Sequence, residues 1–148
     1  MNTHNSLARE ALRSIAVKVE LSSGNVEPLL HEIRHALAEL LREGRGTVID
    51  LKSLPLAAGE EERILQALGS GEIQASLNVF GASEILETAF PGVWVITHRD
   101  EKAIVQGRFI EVTRCPQILC SQDPDIAAGL NRLCAFLEWP ADPTRGGR

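Results

Sequence analysis

Apolar residues recur along this chain with two periods, and the change from one to the other divides the sequence. Between residues 26 and 43, Leu29, Leu30, Ile33, Leu37, Leu40 and Leu41 keep the spacing of a helix buried along one stripe. Asn25 stands at the N-cap position and Gly44 where a left-handed C-cap belongs. TVIDL, residues 47 to 51, is short and β-branched and reads as a strand, which Pro55 keeps from continuing. AGEEERILQAL, residues 58 to 68, returns to the helical period, with acidic residues in its first turn and Gly69 at its end.

From Glu72 to Thr113 the period shortens. EIQASL, SEILET, VWVITHR and AIVQGRFIEVT are alternating or β-rich runs, separated by Gly81, by Pro91-Gly92 and by Asp100-Glu101-Lys102. Such punctuation predicts an antiparallel meander. After CPQIL, Asp123 and Pro124 open a final amphipathic helix carrying Ile126, Leu130, Leu133 and Leu137, which ends near Trp139-Pro140. Residues 7 to 21 satisfy both periods in turn and read as a short helix running into a strand. The predicted class is α+β: an antiparallel sheet with amphipathic helices packed on it. The chain divides into an N-terminal extension (1–25), one α+β domain (26–139) and a flexible tail (140–148).

Composition narrows the function. With 148 residues, 44% of them hydrophobic, the chain can bury one core and has little material for a second. A net charge of -5 without a basic run argues against nucleic acid as a partner. The first twenty-one residues carry Arg9, Glu10, Arg13, Lys18 and Glu20, so they lack the apolar stretch of a secretion signal, and no segment is long enough to span a membrane. A cytoplasmic protein is expected. Three cysteines suit reduced thiols there better than a disulfide framework.

HEIRH, residues 31 to 35, has the form of the HExxH zinc-peptidase signature, in which two histidines hold the metal and the glutamate activates water. The helical wheel argues against it. At about 100° per residue, His31 and His35 lie opposite Ile33 and Leu37, on the solvent face, with Arg34 and Arg42 near enough to oppose a dication. The Gly and His of the longer metzincin signature are replaced by Ala38 and Leu41. His4 and His98 are the remaining imidazoles, and a carboxylate such as Asp50, Glu60, Glu61 or Glu62 could be recruited as third ligand, so a zinc hydrolase using His31, Glu32 and His35 stands as the alternative reading.

Cys115 and Cys120 bracket CPQILC with a gap that suits neither a redox CxxC nor a zinc knuckle, and Cys134 falls on the apolar side of the last helix. All three read as small, buried, structural residues, with a transient metal or redox role for Cys115 and Cys120 as the rival. No GxSxG surrounds a serine, and Gly69-Ser70-Gly71 lacks the Lys-Ser/Thr of a phosphate loop. Trp94 and His98 share one strand face with Ile96 between them, either as core-edge residues or as part of a partner-binding face. Glu84 and Glu87 have no companion groups that would make them an acid/base pair.

Ordered motifs supply what local chemistry does not. GTVIDLKSLPL (46–56), LGSGEIQASL (68–77), GASEILETAFPGVWVITHRD (81–100), EVTRCPQIL (111–119) and the pair Gln122-Asp123 together resemble the C-terminal conserved region of hydrogenase expression/formation proteins of the HupH/HyaF type. The resemblance covers residues 29 to 135. It implies an accessory protein for maturation of an uptake nickel-iron hydrogenase, a non-enzymatic chaperone without a cofactor. Its partners would be an immature subunit, the iron-sulfur small subunit, and other maturation proteins, with a homodimer also compatible.

The family's marked positions fall on Asp50, Ser53, Leu54 and Pro55; on Gly71, Glu72 and Ala75; on Ser83, Glu84, Glu87 and Thr88; on Pro91, Gly92, Trp94 and His98; and on Pro116. Longer members have a further N-terminal region where this chain has some 25 residues. HEIRH is not among the family's motifs. The segment from Glu84 to His98 is the expected partner-binding surface, through Glu84, Glu87, Thr88, Pro91, Gly92, Trp94 and His98, because it joins a Trp and two carboxylates through a Pro-Gly turn.

Overall fold

The structure, a computed structural model, describes residues 24–78 and 81–138. The predicted helix-into-strand at 7 to 21 and the tail from 140 lie outside the described residues. Helix α1 spans Val26–Glu43, β1 Thr47–Asp50 and α2 Glu60–Leu68. Strands β2 (Gln74–Asn78), β3 (Ala82–Glu87), β4 (Val93–Arg99) and β5 (Val105–Val112) follow, then helix α3 (Asp123–Glu138). Two 3-10 turns, Leu51–Ser53 and Gln117–Leu119, complete the order. The chain divides into two compact units at Arg114/Cys115.

In the first unit all pairings are antiparallel and the strand order is β1-β5-β4-β3-β2. β2 to β5 form the predicted meander, and β1 joins it beside β5. Alternation then assigns the faces. Ile49, Val93, Val95, Ile110 and Val112 point to the side where Val26, Leu29, Ile33, Ala36 and Leu40 of α1 and Ile64 and Leu68 of α2 complete the core. Burying such side chains stabilises by about 1.5–3 kcal/mol each.

α1 begins and ends where the sequence predicts, and Gly44 adopts φ 70° with its N–H donating to Leu40 O at 3.0 Å. Its buried stripe differs in two places. Leu41 is 78% exposed, whereas Ala36 is buried. Leu41 lies about 80° around the helix from Ile33 and Ala36 about 60° the other way, so the stripe's true edge excludes one and admits the other.

Asn25 also departs from expectation. Its side chain makes no cap bond to α1. Instead its amide donates to Pro55 O (3.1 Å) and Glu60 Oε2 (3.2 Å), while its backbone N–H donates to Glu60 Oε1 (2.8 Å). Glu60 Oε2 also accepts Ala57 N–H at 2.8 Å. One buried carboxylate thus ties together the starts of α1 and α2. Gly24, at φ +75°, packs so tightly on this carboxylate that a Cβ there would collide with it.

In the second unit, none of the α3 residues is buried: Leu130 is 61% and Leu137 73% exposed. The three cysteines are thiols and all are exposed. This corrects the expectation of buried structural cysteines, which rested on the average habit of Cys. Cys115 and Cys120 flank a turn, and Cys134 belongs to a helix that buries no residue.

Candidate functional site

The turn of the β3–β4 hairpin is held by three hydrogen bonds. Thr88 N–H donates to Val93 O (3.0 Å), Val93 N–H to Phe90 O (2.9 Å) and Phe90 N–H to Thr88 Oγ1 (3.2 Å). Gly92 adopts φ +88°, a conformation that favours glycine, and its carbonyl accepts Thr113 N–H at 2.9 Å. The carbonyl of Thr113 in turn accepts the Trp94 indole N–H at 3.0 Å. The turn is therefore rigidly referenced to the end of β5. Phe90, 47% exposed, and Pro91 form its tip.

Register places the predicted surface residues on two faces rather than one. Glu87, Trp94 and His98 lie on the face away from α1 and α2, with Ser83, Ile85, Ile96, Phe109 and Glu111. Glu84 lies on the other, with Thr97 beside it in register and Arg99 at 3.6 Å. Thr88 (1% exposed) and Trp94 (4%) are buried, so they shape the hairpin from within and present no contact surface. Glu84, Glu87, Pro91 and His98 retain access to solvent.

His98 Nδ1 lies 2.8 Å from Ser83 Oγ, and its ring meets Phe109 edge-on at 5.7 Å between centroids. The imidazole is thus a satisfied member of the sheet face. Trp94 stands in register between Glu87 on β3 and Glu111 on β5, which makes an acid-aromatic-acid row. Desolvation by burial pushes the Glu111 carboxyl above its usual range, partly opposed by the charge of His98. Phe90 and Glu111 were not singled out in the sequence. Phe90 sits in the AFPG turn, where an apolar residue before Pro-Gly is a legible sign, whereas the desolvation of Glu111 depends on strand register.

Several marked positions are explained by backbone geometry. Asp50 accepts Lys52 N–H at 2.9 Å and caps the 3-10 turn, and Ser53 Oγ donates to Asp50 O at 2.8 Å. A Cβ on Gly71 would run into the Thr88 carbonyl, and Gly71 N–H donates to Glu87 O at 2.8 Å. Pro116 is fully buried.

HEIRH is exposed as the wheel argument requires. The side chains of His31 and His35 are 59% and 72% exposed and face Glu27 (3.7 Å) and Glu39 (3.5 Å) one turn away. Among the described residues no three metal-ligating side chains gather in one place, and no helix there is long and apolar enough to cross a membrane.

Comparison with known proteins agrees with these motifs. Residues 24–140 match the family described as HupH hydrogenase expression protein, C-terminal conserved region. The chain is similar to the hydrogenase expression/formation protein HupQ of Azotobacter chroococcum mcd 1, with 29% identity over 111 residues, covering 74% of this chain and 39% of that protein. It is 27% identical over 118 residues to HoxQ of Azotobacter vinelandii, covering 77% and 42%. The chain thus spans about two fifths of these curated relatives. A solved structure, the hydrogenase expression protein HupH from Thiobacillus denitrificans ATCC 25259, superposes with a TM-score of 0.74 at 43% identity, covering 78% of this chain and 96% of that one. With its fold, its ordered motifs and more than three quarters of its length in agreement, the chain belongs to the HupH hydrogenase expression protein family, through the C-terminal conserved region.

Proposed function

We propose that the protein is an accessory factor in the maturation of an uptake nickel-iron hydrogenase. It acts by binding rather than by catalysis, as an assembly chaperone for an immature subunit, the iron-sulfur small subunit. The observation that carries this reading is the family match over residues 24–140, together with relatives named as hydrogenase expression/formation proteins. The β3–β4 hairpin is the docking surface: Phe90 and Pro91 at the tip give an apolar contact, and Glu84 and Glu87 flank it with charge. Thr88, Gly92 and Trp94 fix its shape, and His98 closes its far end.

Co-purification from hydrogenase-expressing cells tests both parts. The tagged chain should retain a hydrogenase subunit identifiable by mass spectrometry, and the double substitution F90S/E87K should release it while circular dichroism and melting stay unchanged. Retention of the subunit by the double variant would remove the hairpin from the proposal. Recovery of no hydrogenase subunit by the parent chain would remove the function.

A further inference from the structure

The Cys115 and Cys120 thiols face each other across the CPQILC turn with their sulfurs 3.9 Å apart. Local backbone bonds impose this approach. Leu119 N–H donates to Pro116 O and Cys120 N–H to Gln117 O, each at 3.0 Å, which folds the segment through a 3-10 turn. Both sulfurs converge on the Pro116 carbonyl, at 3.8 and 3.6 Å, and Pro116 is itself fully buried. A disulfide needs the sulfurs at about 2.05 Å, about 2 Å closer than they stand here. Both residues are exposed, so a small thiol reagent can reach them.

The geometry points to Cys115 and Cys120 as a dithiol that exchanges with small-molecule disulfides of the glutathione class and closes into an intramolecular disulfide. The Cys120 thiolate attacks one sulfur of glutathione disulfide, whose S–S bond breaks, and one glutathione leaves as a thiolate that takes up a proton. The Cys115 thiolate then attacks Cys120 in the resulting mixed disulfide, the protein S–S bond forms, and the second glutathione leaves. The protein pair loses two hydrogens and two electrons, and glutathione disulfide gains them as two thiols. The hydrogen bond between the two thiols and desolvation raise the Cys115 pKa. Closure locks the turn through which the chain passes on its way into α3.

The test uses the full chain carrying Cys134→Ser, equilibrated with graded ratios of glutathione to glutathione disulfide, then alkylated and weighed intact. The expected result is concerted loss of both thiols, with a product lighter by two hydrogens and still a single chain. Adding Cys115→Ser should halt the reaction at a glutathione adduct on Cys120. Survival of both thiols in the most oxidising buffer, a disulfide-linked dimer, or adducts accumulating on both cysteines of the parent would each overturn the inference.

Discussion

Glu60 accepts the backbone N–H of Asn25 at 2.8 Å across 35 positions of sequence, so the first turn of α2 is tied to the residue that opens α1. The N–H groups of Ala57 and Asn25 hold its carboxyl below the usual carboxylate range. A depressed carboxylate pKa contributes stability that is present above the unfolded-state pKa of Glu and is lost as pH falls through the folded-state value. Glu60→Gln should therefore lower the melting temperature by several degrees at neutral pH, and the gap between variant and parent should narrow in acid. A constant gap down to the acid limit would mean that shape, not charge, does the work.

Glu111 has the opposite sign. Its folded-state pKa is raised by desolvation, so its contribution favours the fold below the unfolded pKa and is lost as pH rises through the folded value. Glu111→Gln is expected to melt higher than the parent at neutral pH and level with it in acid. Paired melting curves across pH read this directly, and a variant less stable at neutral pH would contradict the desolvation argument.

Ile110 is fully buried where α1 meets β5. Its truncation in Ile110→Ala should cost about 2–5 kcal/mol, the range for a large core side chain that leaves a cavity. Urea unfolding would show this as a lower midpoint at an unchanged slope.

Gly92 combines φ +88° with Leu37 Cδ2 at 3.5 Å from where a Cβ would lie. Gly92→Ala places an L side chain in the left-handed region, a cost of about 1–2 kcal/mol, and should loosen the hairpin. Hydrogen exchange at Thr113 N–H, which donates to the Gly92 carbonyl, should accelerate in the variant before exchange in the core does.

His31→Ala and His35→Ala should each leave stability within about 0.5 kcal/mol of the parent, since both rings project into solvent. Elemental analysis provides the sharper reading. Stoichiometric zinc in the parent that either substitution removes would restore the hydrolase alternative.

What was legible in the sequence was whatever depends on period and punctuation. The bounds of α1, the four meander strands and the outward histidines all follow from counting positions. What was not legible depends on the element opposite. Asn25 has the composition of a cap, yet its partners come from Pro55 and Glu60, which no local pattern connects to it. Trp94 and Thr88 sit in a segment rich in surface-type features, and only the register with β5 and the turn geometry reveals them as interior. The cysteines follow the same logic in reverse. An apolar neighbourhood in sequence did not become an enclosing one in space.

The strand order has a consequence for synthesis from the ribosome. Among the described strands β1 is made first, but its ladder partner β5 is made last. Until Val105–Val112 emerges, the leucine stripe of α1 has no Ile110 or Val112 to rest on and β1 has no pairing edge. The nascent chain must therefore hold the α1 face that rests on Ile110 and Val112 incompletely covered until β5 emerges. A version shortened before β5 would keep that exposed state permanently and be the form most prone to aggregate.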